Sequence, residues 1–218
     1  MNNGMVGENV AQRKHWEFTY KQWGTDEKHY LDLIDYLNEN KIRSYIDLGA
    51  NTGGVCSVLL EKIGTLEKCY LLEPQIDNFN FMSDIFRYDE RVACHNFGIL
   101  YTEKKFVDLL RSDNNVGGYT TIKFNDNFNL TGDRMEVKSL EDFNFQEVDF
   151  IKIDVEGAEE NIILNSIFLK QIKFIELELH GRLLNENVAI EFLTKNLKSH
   201  LIIYDLSNLP HHVFLQKI

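Results

Sequence analysis

The chain has 218 residues, of which 44% are hydrophobic, 12% aromatic and 26% charged, so its composition is that of an ordinary folded domain. These values exclude a disordered tail, a collagen-like fibre and a coiled coil. The formal net charge of -11 would repel a phosphate backbone, which argues against nucleic acid as the partner.

The cysteines and the N-terminal sequence favour a cytoplasmic protein. Cys56, Cys69 and Cys94 are odd in number and lie within apolar stretches, so we expect buried, reduced thiols. The N-terminus lacks the basic and apolar regions of a signal peptide. Nowhere do about 18 apolar residues follow one another, so we expect no membrane span.

The first predicted element is a helix that follows a capping sequence at residues 25–27. Leu31, Ile34 and Leu37 form one apolar stripe along this helix. We expect the stripe to cover an edge of a sheet.

From this helix to about residue 180, short apolar runs alternate with segments of helical period, which is the pattern of βαβ units. We predict strands at residues 44–48, 69–72, 92–95, 150–153 and 174–179, and helices between them at residues 55–63, 78–86 and 159–167. The fold class is therefore α/β, with a single-domain, doubly wound and mostly parallel sheet of Rossmann type.

The C-terminal part closes the predicted sheet. It contains a helix at residues 187–196 and two strands, at residues 201–206 and 213–216, separated by a turn with Pro210. We expect these two strands to form an antiparallel hairpin.

Two regions do not fit the alternation. Residues 97–148 are too long for one crossover, so they are either an insertion at the rim of the site or an irregular crossover. Residues 1–25 contain several aromatic side chains, among them Trp16 and Trp23, and are predicted to form a lid or a dimer contact. Residues 26–218 form the predicted main domain.

A glycine-rich turn follows the first strand, where the ligand of a doubly wound sheet binds. Residues 47–54 read Asp-Leu-Gly-Ala-Asn-Thr-Gly-Gly, and Asp47 would disfavour a pyrophosphate but favour a ligand with an ammonium group. Glu73 ends the second strand, where an acidic residue accepts hydrogen bonds from two ribose hydroxyls. Together these features predict S-adenosylmethionine as cofactor. NAD, and with it a dehydrogenase, fits less well because the third glycine of the dinucleotide motif is missing.

With these motifs in place, the sequence resembles the FkbM family of S-adenosylmethionine-dependent methyltransferases. The resemblance rests on residues 45–53, 73–74, 149–159 and 176–180, and the third stretch, with Lys-Ile-Asp-Val-Glu-Gly-Ala-Glu, is the most specific. It implies a seven-stranded class I methyltransferase fold. It also implies O-methylation of a hydroxyl on a carbohydrate, of glycan, capsule or lipopolysaccharide type, or on a natural product.

The resemblance and the strand-end argument together assign the cofactor site. The methionine part would lie on the glycine-rich turn, the ribose on the acidic residue after the second strand, and the adenine beside residues 96 and 97. The predicted cofactor-binding residues are Asp47, Gly49, Ala50, Asn51, Gly53, Glu73, Asn96, Phe97 and Asp154. Gly98 departs from the family, which usually has alanine there.

An alcohol acceptor must lose a proton as its new bond forms, so a general base is expected. The predicted catalytic residues are Asp154 and Glu156, after the fourth strand, and His180, after the fifth. Glu156 could instead cap the helix that begins near Gly157. His180 could instead be structural.

No metal site is predicted. A metal-assisted variant would use Asp154 with Glu178 or His180 to bind Mg²⁺, but no tight spacing in the sequence requires it. The other histidines, including His211 and His212, are expected to lie at the surface.

The predicted partner is a small-molecule or glycan acceptor, and a homodimer is compatible with the aromatic N-terminal segment. The alternative to an enzyme is a non-catalytic S-adenosylmethionine-binding or assembly protein that lacks an acceptor pocket.

Overall fold

The computed structural model describes residues 10–22, 24, 28–112, 119–120, 128–143, 145, 147–204 and 211–218. Its helices are α1 (Val10–Lys21), α2 (Lys28–Glu39), α3 (Gly54–Lys62), α4 (Ile76–Phe86), α5 (Glu159–Asn165) and α6 (Glu186–Asn196). Its strands are β1 (Ser44–Leu48), β2 (Lys68–Leu72), β3 (Val92–His95), β4 (Gly98–Ile99), β5 (Phe106–Ser112), β6 (Tyr119–Thr120), β7 (Phe128–Lys138), β8 (Phe150–Ile153), β9 (Phe174–Glu178), β10 (His200–Tyr204) and β11 (His212–Lys217).

Seven of these strands form the main sheet, in the order β10-β11-β9-β8-β1-β2-β3. Strand β11 runs antiparallel to both of its neighbours, and the other neighbouring pairs are parallel. The predicted α/β fold class, with its mostly parallel sheet and C-terminal antiparallel hairpin, is confirmed.

The two faces of the sheet carry different side chains, because successive residues of a strand point to opposite faces. Aliphatic residues such as Ile46 and Ile151 pack with α5 and α6 on one face. Aromatic residues, including Tyr45, Phe150 and Phe174, pack with α2 and α3 on the other. The helices therefore cover both faces of the sheet, and this doubly wound arrangement leaves the strand ends open for a site.

Helix α2 lies over this aromatic face. The ring of Tyr36 makes edge contacts with Phe174 and Phe214, at centroid distances of 5.7 and 6.0 Å. The expectation that α2 covers a sheet edge is wrong, since aromatic rings on interior strands form an apolar surface that has to be buried. Its expected capping residues, 25–27, lie outside the described residues.

Residues 98–138 contribute a second, four-stranded sheet with the order β4-β7-β5-β6. Strand β4 pairs in parallel with β7, while β5 pairs antiparallel with both β7 and β6. A small apolar cluster of Leu109, Met135 and Val137 lies on this sheet. The segment that the sequence marks as too long for a crossover thus has secondary structure of its own.

Helix α1 packs on α3 and touches α4. The indole nitrogen of Trp16 donates to the Ser57 hydroxyl at 3.1 Å, and the Tyr20 hydroxyl donates to Glu61. Trp23 lies outside the described residues. None of the helices in the described ranges is both long enough and apolar enough to cross a membrane.

Candidate functional site

Two adjoining pockets lie at the carboxyl ends of β1, β2 and β8, and residues such as Asn51, Asp154 and Glu156 line both. We call the first the inner pocket; its wall includes Glu73, Phe97, Gly98 and Met135. We call the second the outer cavity, about 660 Å³ in volume; it lies between α1 and the strand ends, and its wall includes His15, Asp47, Lys152, Glu178 and His212.

The glycine-rich turn brings the ends of β1 and β8 together. The Asp154 N–H donates to the Leu48 carbonyl oxygen at 3.0 Å. Gly49 has φ +82°, and a Cβ there would lie 1.8 Å from the Asp154 carbonyl oxygen. Only glycine fits this position, for both reasons. Ala50 lines the outer cavity, and Gly53 precedes the first residue of α3.

Glu73 lies buried in the wall of the inner pocket, with its carboxylate held by the backbone. One oxygen accepts the Asn51 N–H and the other accepts the Gln75 N–H, each at 2.8 Å. Burial raises the pKa of Glu73 to about 7, although these two hydrogen bonds oppose the shift. A carboxylate oxygen has lone pairs left after one such bond, so Glu73 can still accept a pair of hydroxyl donors from a ligand.

Asn96 and Phe97 lie beside Glu73 in different roles. The Asn96 amide donates to the carbonyl oxygens of Glu73 and Pro74, at 2.9 and 3.1 Å, so it holds the turn after β2. Phe97 lines the inner pocket.

Gly98 and Met135 complete the inner pocket from the four-stranded sheet. A Cβ at position 98 would lie 2.7 Å from the Met135 Cε, so an alanine there would require this methyl group to move. The glycine thus lets Met135 pack directly against the backbone at a position where the resemblance to the family predicts alanine.

A row of buried charged side chains crosses the aromatic face of the sheet. Each charged residue follows an aromatic residue of its own strand by two positions. Asp47, Lys152 and Glu176 are in register on β1, β8 and β9. The Lys152 ammonium also donates to the Asp154 carboxylate at 2.9 Å. Sequence reasoning missed Lys152, although a lysine within the buried run Phe-Ile-Lys-Ile signals an acidic partner.

Asp47 is the unsatisfied member of this row. Its side chain is buried, and neither carboxylate oxygen meets hydrogen-bond geometry with a partner in the part of the chain that the structure describes, although the neighbouring Tyr45 hydroxyl acts to lower the pKa of Asp47. Burial raises the pKa of Asp47 to about 6, partly opposed by the charge of Lys152. An unsatisfied buried carboxylate that lines the outer cavity is suited to a ligand ammonium group.

His180 is held between carboxylates. Its Nδ1 lies 2.9 Å from Glu159 and its Nε2 lies 3.3 Å from Glu156. Burial alone would lower the pKa of His180, but the Glu159 hydrogen bond and the neighbouring charges raise it to about 9. His180 is therefore a cation at neutral pH, and a cationic imidazole cannot accept a proton.

Glu159 is also the carboxylate that holds the loop before α5. It is buried, and its Oε1 accepts the N–H groups of Val155 and Gly157 at 3.2 and 3.0 Å. Glu156 lines both pockets instead, in a left-handed backbone conformation with φ 51°. Burial and the charge of Asp154 raise the pKa of Glu156 to about 7.

Asp154 differs from Glu156, because a neighbouring ammonium group keeps its carboxylate ionised. Burial alone would raise its pKa, but the Lys152 ammonium holds the pKa of Asp154 below its ordinary value. Asp154, Glu178 and His180 each place one ligand atom within 4.8 Å of the others, a spacing that a divalent ion could use. The ammonium of Lys152 already balances the Asp154 charge at this point.

His212 is not a surface residue, so that expectation is wrong. Its Nδ1 lies 2.7 Å from Glu176, and the Tyr30 hydroxyl lies 3.2 Å from its Nε2. The cause is strand alternation, which places His212 on the same face as Phe214. His15, on α1, is a second histidine that the sequence did not single out; it lines the outer cavity opposite the strand ends.

The sheet order and the glycine turn beside a buried acid define a Rossmann-like methyltransferase fold. Residues 47–204 match the model of the Methyltransferase FkbM domain, and the chain belongs to the FkbM methyltransferase family. No functionally curated protein matches the sequence.

Solved structures agree on the fold. The chain is similar to a methyltransferase FkbM from Methylobacillus flagellatus KT, with a TM-score of 0.53 and 13% identity over 94% of this chain and 59% of that one. It is also similar to the methyltransferase domain of bacterial CtHen1-C, with a TM-score of 0.50 and 10% identity over 91% and 97%. A NADB-Rossmann superfamily protein from Streptococcus agalactiae gives a TM-score of 0.51 and 14% identity over 88% and 69%. The chain thus spans about three fifths of the Methylobacillus relative.

Proposed function

We propose that the chain is an S-adenosylmethionine-dependent O-methyltransferase whose acceptor is a hydroxyl of a carbohydrate or a similar hydroxyl-rich molecule. The observation that carries this proposal is Glu73, a buried carboxylate that two backbone N–H groups hold in the wall of the inner pocket. This is the arrangement that binds a ribose diol in nucleoside sites.

The described residues fit the cofactor at both ends. Glu73 would bind the ribose, with Phe97 and Met135 beside the adenine, and the unsatisfied Asp47 would face the ammonium group. When bound, S-adenosylmethionine supplies a methyl group made electrophilic by its sulfonium.

The outer cavity fits a polar acceptor. Its volume of about 660 Å³ is in the range of small-molecule sites. Its wall carries amide and ammonium groups that can bond to sugar hydroxyls, from Gln12, Lys14, Gln22, Asn51 and Asn78. In this proposal α1 is the lid over the acceptor, which is one of the two roles expected for the N-terminal segment.

Asp154 and Glu156 are the carboxylates that line both pockets among the described residues. The ionised Asp154 can accept a hydrogen bond from the acceptor hydroxyl and so orient it. The cationic His180 positions Glu156 rather than accepting a proton itself.

We expect methyl transfer without Mg²⁺, because Lys152 compensates the charge of Asp154. The rate should be unchanged after dialysis against EDTA. A loss that added Mg²⁺ restores would contradict this expectation.

The test of the cofactor site is calorimetric titration with S-adenosylmethionine and S-adenosylhomocysteine. We expect binding to weaken at least about tenfold in Glu73→Ala, because the ribose loses its acceptor. Glu67→Ala is the matched control, since Glu67 is exposed and pairs with Arg43 at the other end of β2. Equal binding by both variants would remove Glu73 from the site.

The same protein distinguishes the remaining alternatives. Intact binding with no transfer to a broad panel of glycans would favour the non-catalytic binding or assembly protein. A thermal shift with NAD and none with S-adenosylmethionine would favour the dehydrogenase.

A further inference from the structure

We propose that His15, on the N-terminal helix α1, is the general base that takes the proton of the acceptor hydroxyl. This inference rests on the proposed function. It places the group that accepts the proton on α1, on the far side of the outer cavity from the strand ends. All of the catalytic candidates that the sequence predicts lie at the strand ends.

The first support is position. His15 lines the outer cavity but not the inner pocket, whereas Asp154 lines both. An acceptor in the outer cavity therefore lies with the strand-end carboxylate on one side and the imidazole on the other. The helix that carries His15 is fixed to the body of the domain at three points along its length, through Gln12, Trp16 and Tyr20.

The second support is the charge and protonation of the other candidates for the general base. His180 is a cation bound between Glu159 and Glu156, and Asp154 is held ionised by Lys152. Glu156 is paired with His180 at 3.3 Å, but its raised pKa would also suit a base, so the experiment below compares it directly with His15. Among the candidates on the described elements, His15 is the imidazole that is neutral at neutral pH, because burial lowers its pKa and the charge of Asp154 opposes this only in part.

Other charged and titratable groups line the same cavity. From the strands and the loops that follow them these are Asp47, Lys152, Asp154, Glu156, Glu178 and His212, and from α1 itself it is Lys14. Asp154 is the charge that stabilises a protonated His15. A carboxylate opposite a base assists it in this way, since it favours the imidazolium that forms in the reaction.

The step is balanced without a further reactant. The acceptor oxygen forms its bond to the methyl carbon as the carbon–sulfur bond breaks, and that electron pair stays on sulfur. The hydroxyl proton goes to the His15 imidazole and then to solvent.

The experiment compares His15→Gln with Glu156→Gln, and it uses Glu17→Gln as the control because Glu17 is an exposed residue of the same helix. Transfer of labelled methyl from S-adenosylmethionine to a panel of p-nitrophenyl glycosides is measured from pH 6 to 9. We expect a loss of about 10²- to 10⁴-fold in His15→Gln, with S-adenosylhomocysteine binding unchanged. Wild-type rates in Glu17→Gln show that the helix itself is intact.

A second readout does not depend on an acceptor. NMR titration of the His15 ring, assigned by its absence in His15→Gln, should give a pKa below the ordinary histidine value, and lower still in Asp154→Asn. A ring that is protonated at pH 7 overturns the proposal.

The outcomes separate this inference from the proposed function. Wild-type turnover in His15→Gln with loss in Glu156→Gln would overturn the inference and assign the base to Glu156. Weaker S-adenosylhomocysteine binding in His15→Gln would also overturn it, since His15 would then belong to the cofactor site. A wild-type protein that does not bind S-adenosylhomocysteine contradicts the proposed function itself.

Discussion

The two sides of the site are held together by different interactions. Beside β2 the backbone does the positioning, since Asn51 and Gln75 donate N–H groups to Glu73 and the Asn96 amide fixes the turn that follows. Beside β8, β9 and β11 the positioning comes from side-chain charges, chiefly Lys152 with its carboxylates and His212 with Glu176. On the first side the backbone fixes the position of the carboxylate, whereas on the second the positions depend on which side chains carry a charge.

The largest expected effect is on the turn that joins the two sides. Gly49→Ala should destabilise the fold by about 4 kcal/mol or more, because the new Cβ would meet the Asp154 carbonyl oxygen at 1.8 Å in a backbone conformation that disfavours alanine. Urea unfolding measures the change. Gly64→Ala is the control, since nothing lies within 4 Å of a Cβ there, and a similar loss in both variants would contradict the steric argument.

The charged side is tested by Lys152→Met. Removing this cation leaves buried carboxylates uncompensated, which should lower the free energy of unfolding by about 3–5 kcal/mol at pH 8. Without the Lys152 ammonium, burial should raise the pKa of Asp154 and raise that of Asp47 further in the folded state. The loss of stability should therefore shrink as the pH falls to 5.5 and these carboxylates take up protons.

The exposed Lys62→Met variant serves as the comparison, and it should change stability by no more than about 0.5 kcal/mol. A Lys152→Met protein as stable as wild type at pH 8 would show that the charged row does not depend on this lysine.

The backbone side predicts a pH dependence of cofactor binding. Ribose hydroxyls donate to the ionised carboxylate of Glu73, whose pKa is raised to about 7, so protonation competes with binding. Affinity for S-adenosylhomocysteine should fall about tenfold from pH 8 to pH 6. Calorimetry at the two pH values measures this, and Glu73→Gln should flatten the slope; an equal slope in the variant would point to another group, such as Asp47.

The smallest effect concerns the docking of α1 over the acceptor side. Trp16→Phe removes the hydrogen bond to Ser57 and should weaken docking by about 1 kcal/mol. Faster hydrogen exchange confined to α1 would show this. Unchanged exchange would mean that the other contacts of the helix fix it without Trp16.

The same contrast explains what could be predicted from the sequence. The sheet, its helices and the glycine turn follow from local periodicity, and predicted element ends lie within two residues of those observed. The turn beside Glu73 was predictable because the residues that bond to it are close in the chain or directly follow the neighbouring strands. Asp47, Gly49 and Glu73, three of the predicted cofactor-binding residues, line the two pockets.

The charged side was less accessible to sequence reasoning, because its partners are distant in the chain. Nothing local pairs His212 with Glu176 or brings His15 over the strand ends, since both depend on how whole elements pack. Lys152 was also missed, although its apolar neighbours in the chain already imply a buried charge. Residue types at strand ends therefore indicated where the site lies, but not which groups carry charge.

Gly98, Leu109 and Met135 make the four-stranded sheet part of the wall of the inner pocket. A shortened loop in place of residues 98–138 would remove this part of the wall and open the pocket to water. Alanine at 98 would require the terminal methyl group of Met135 to shift, and Met135 lines the same pocket. A sheet transplanted between relatives would therefore keep the shape of this wall when both residues are carried together.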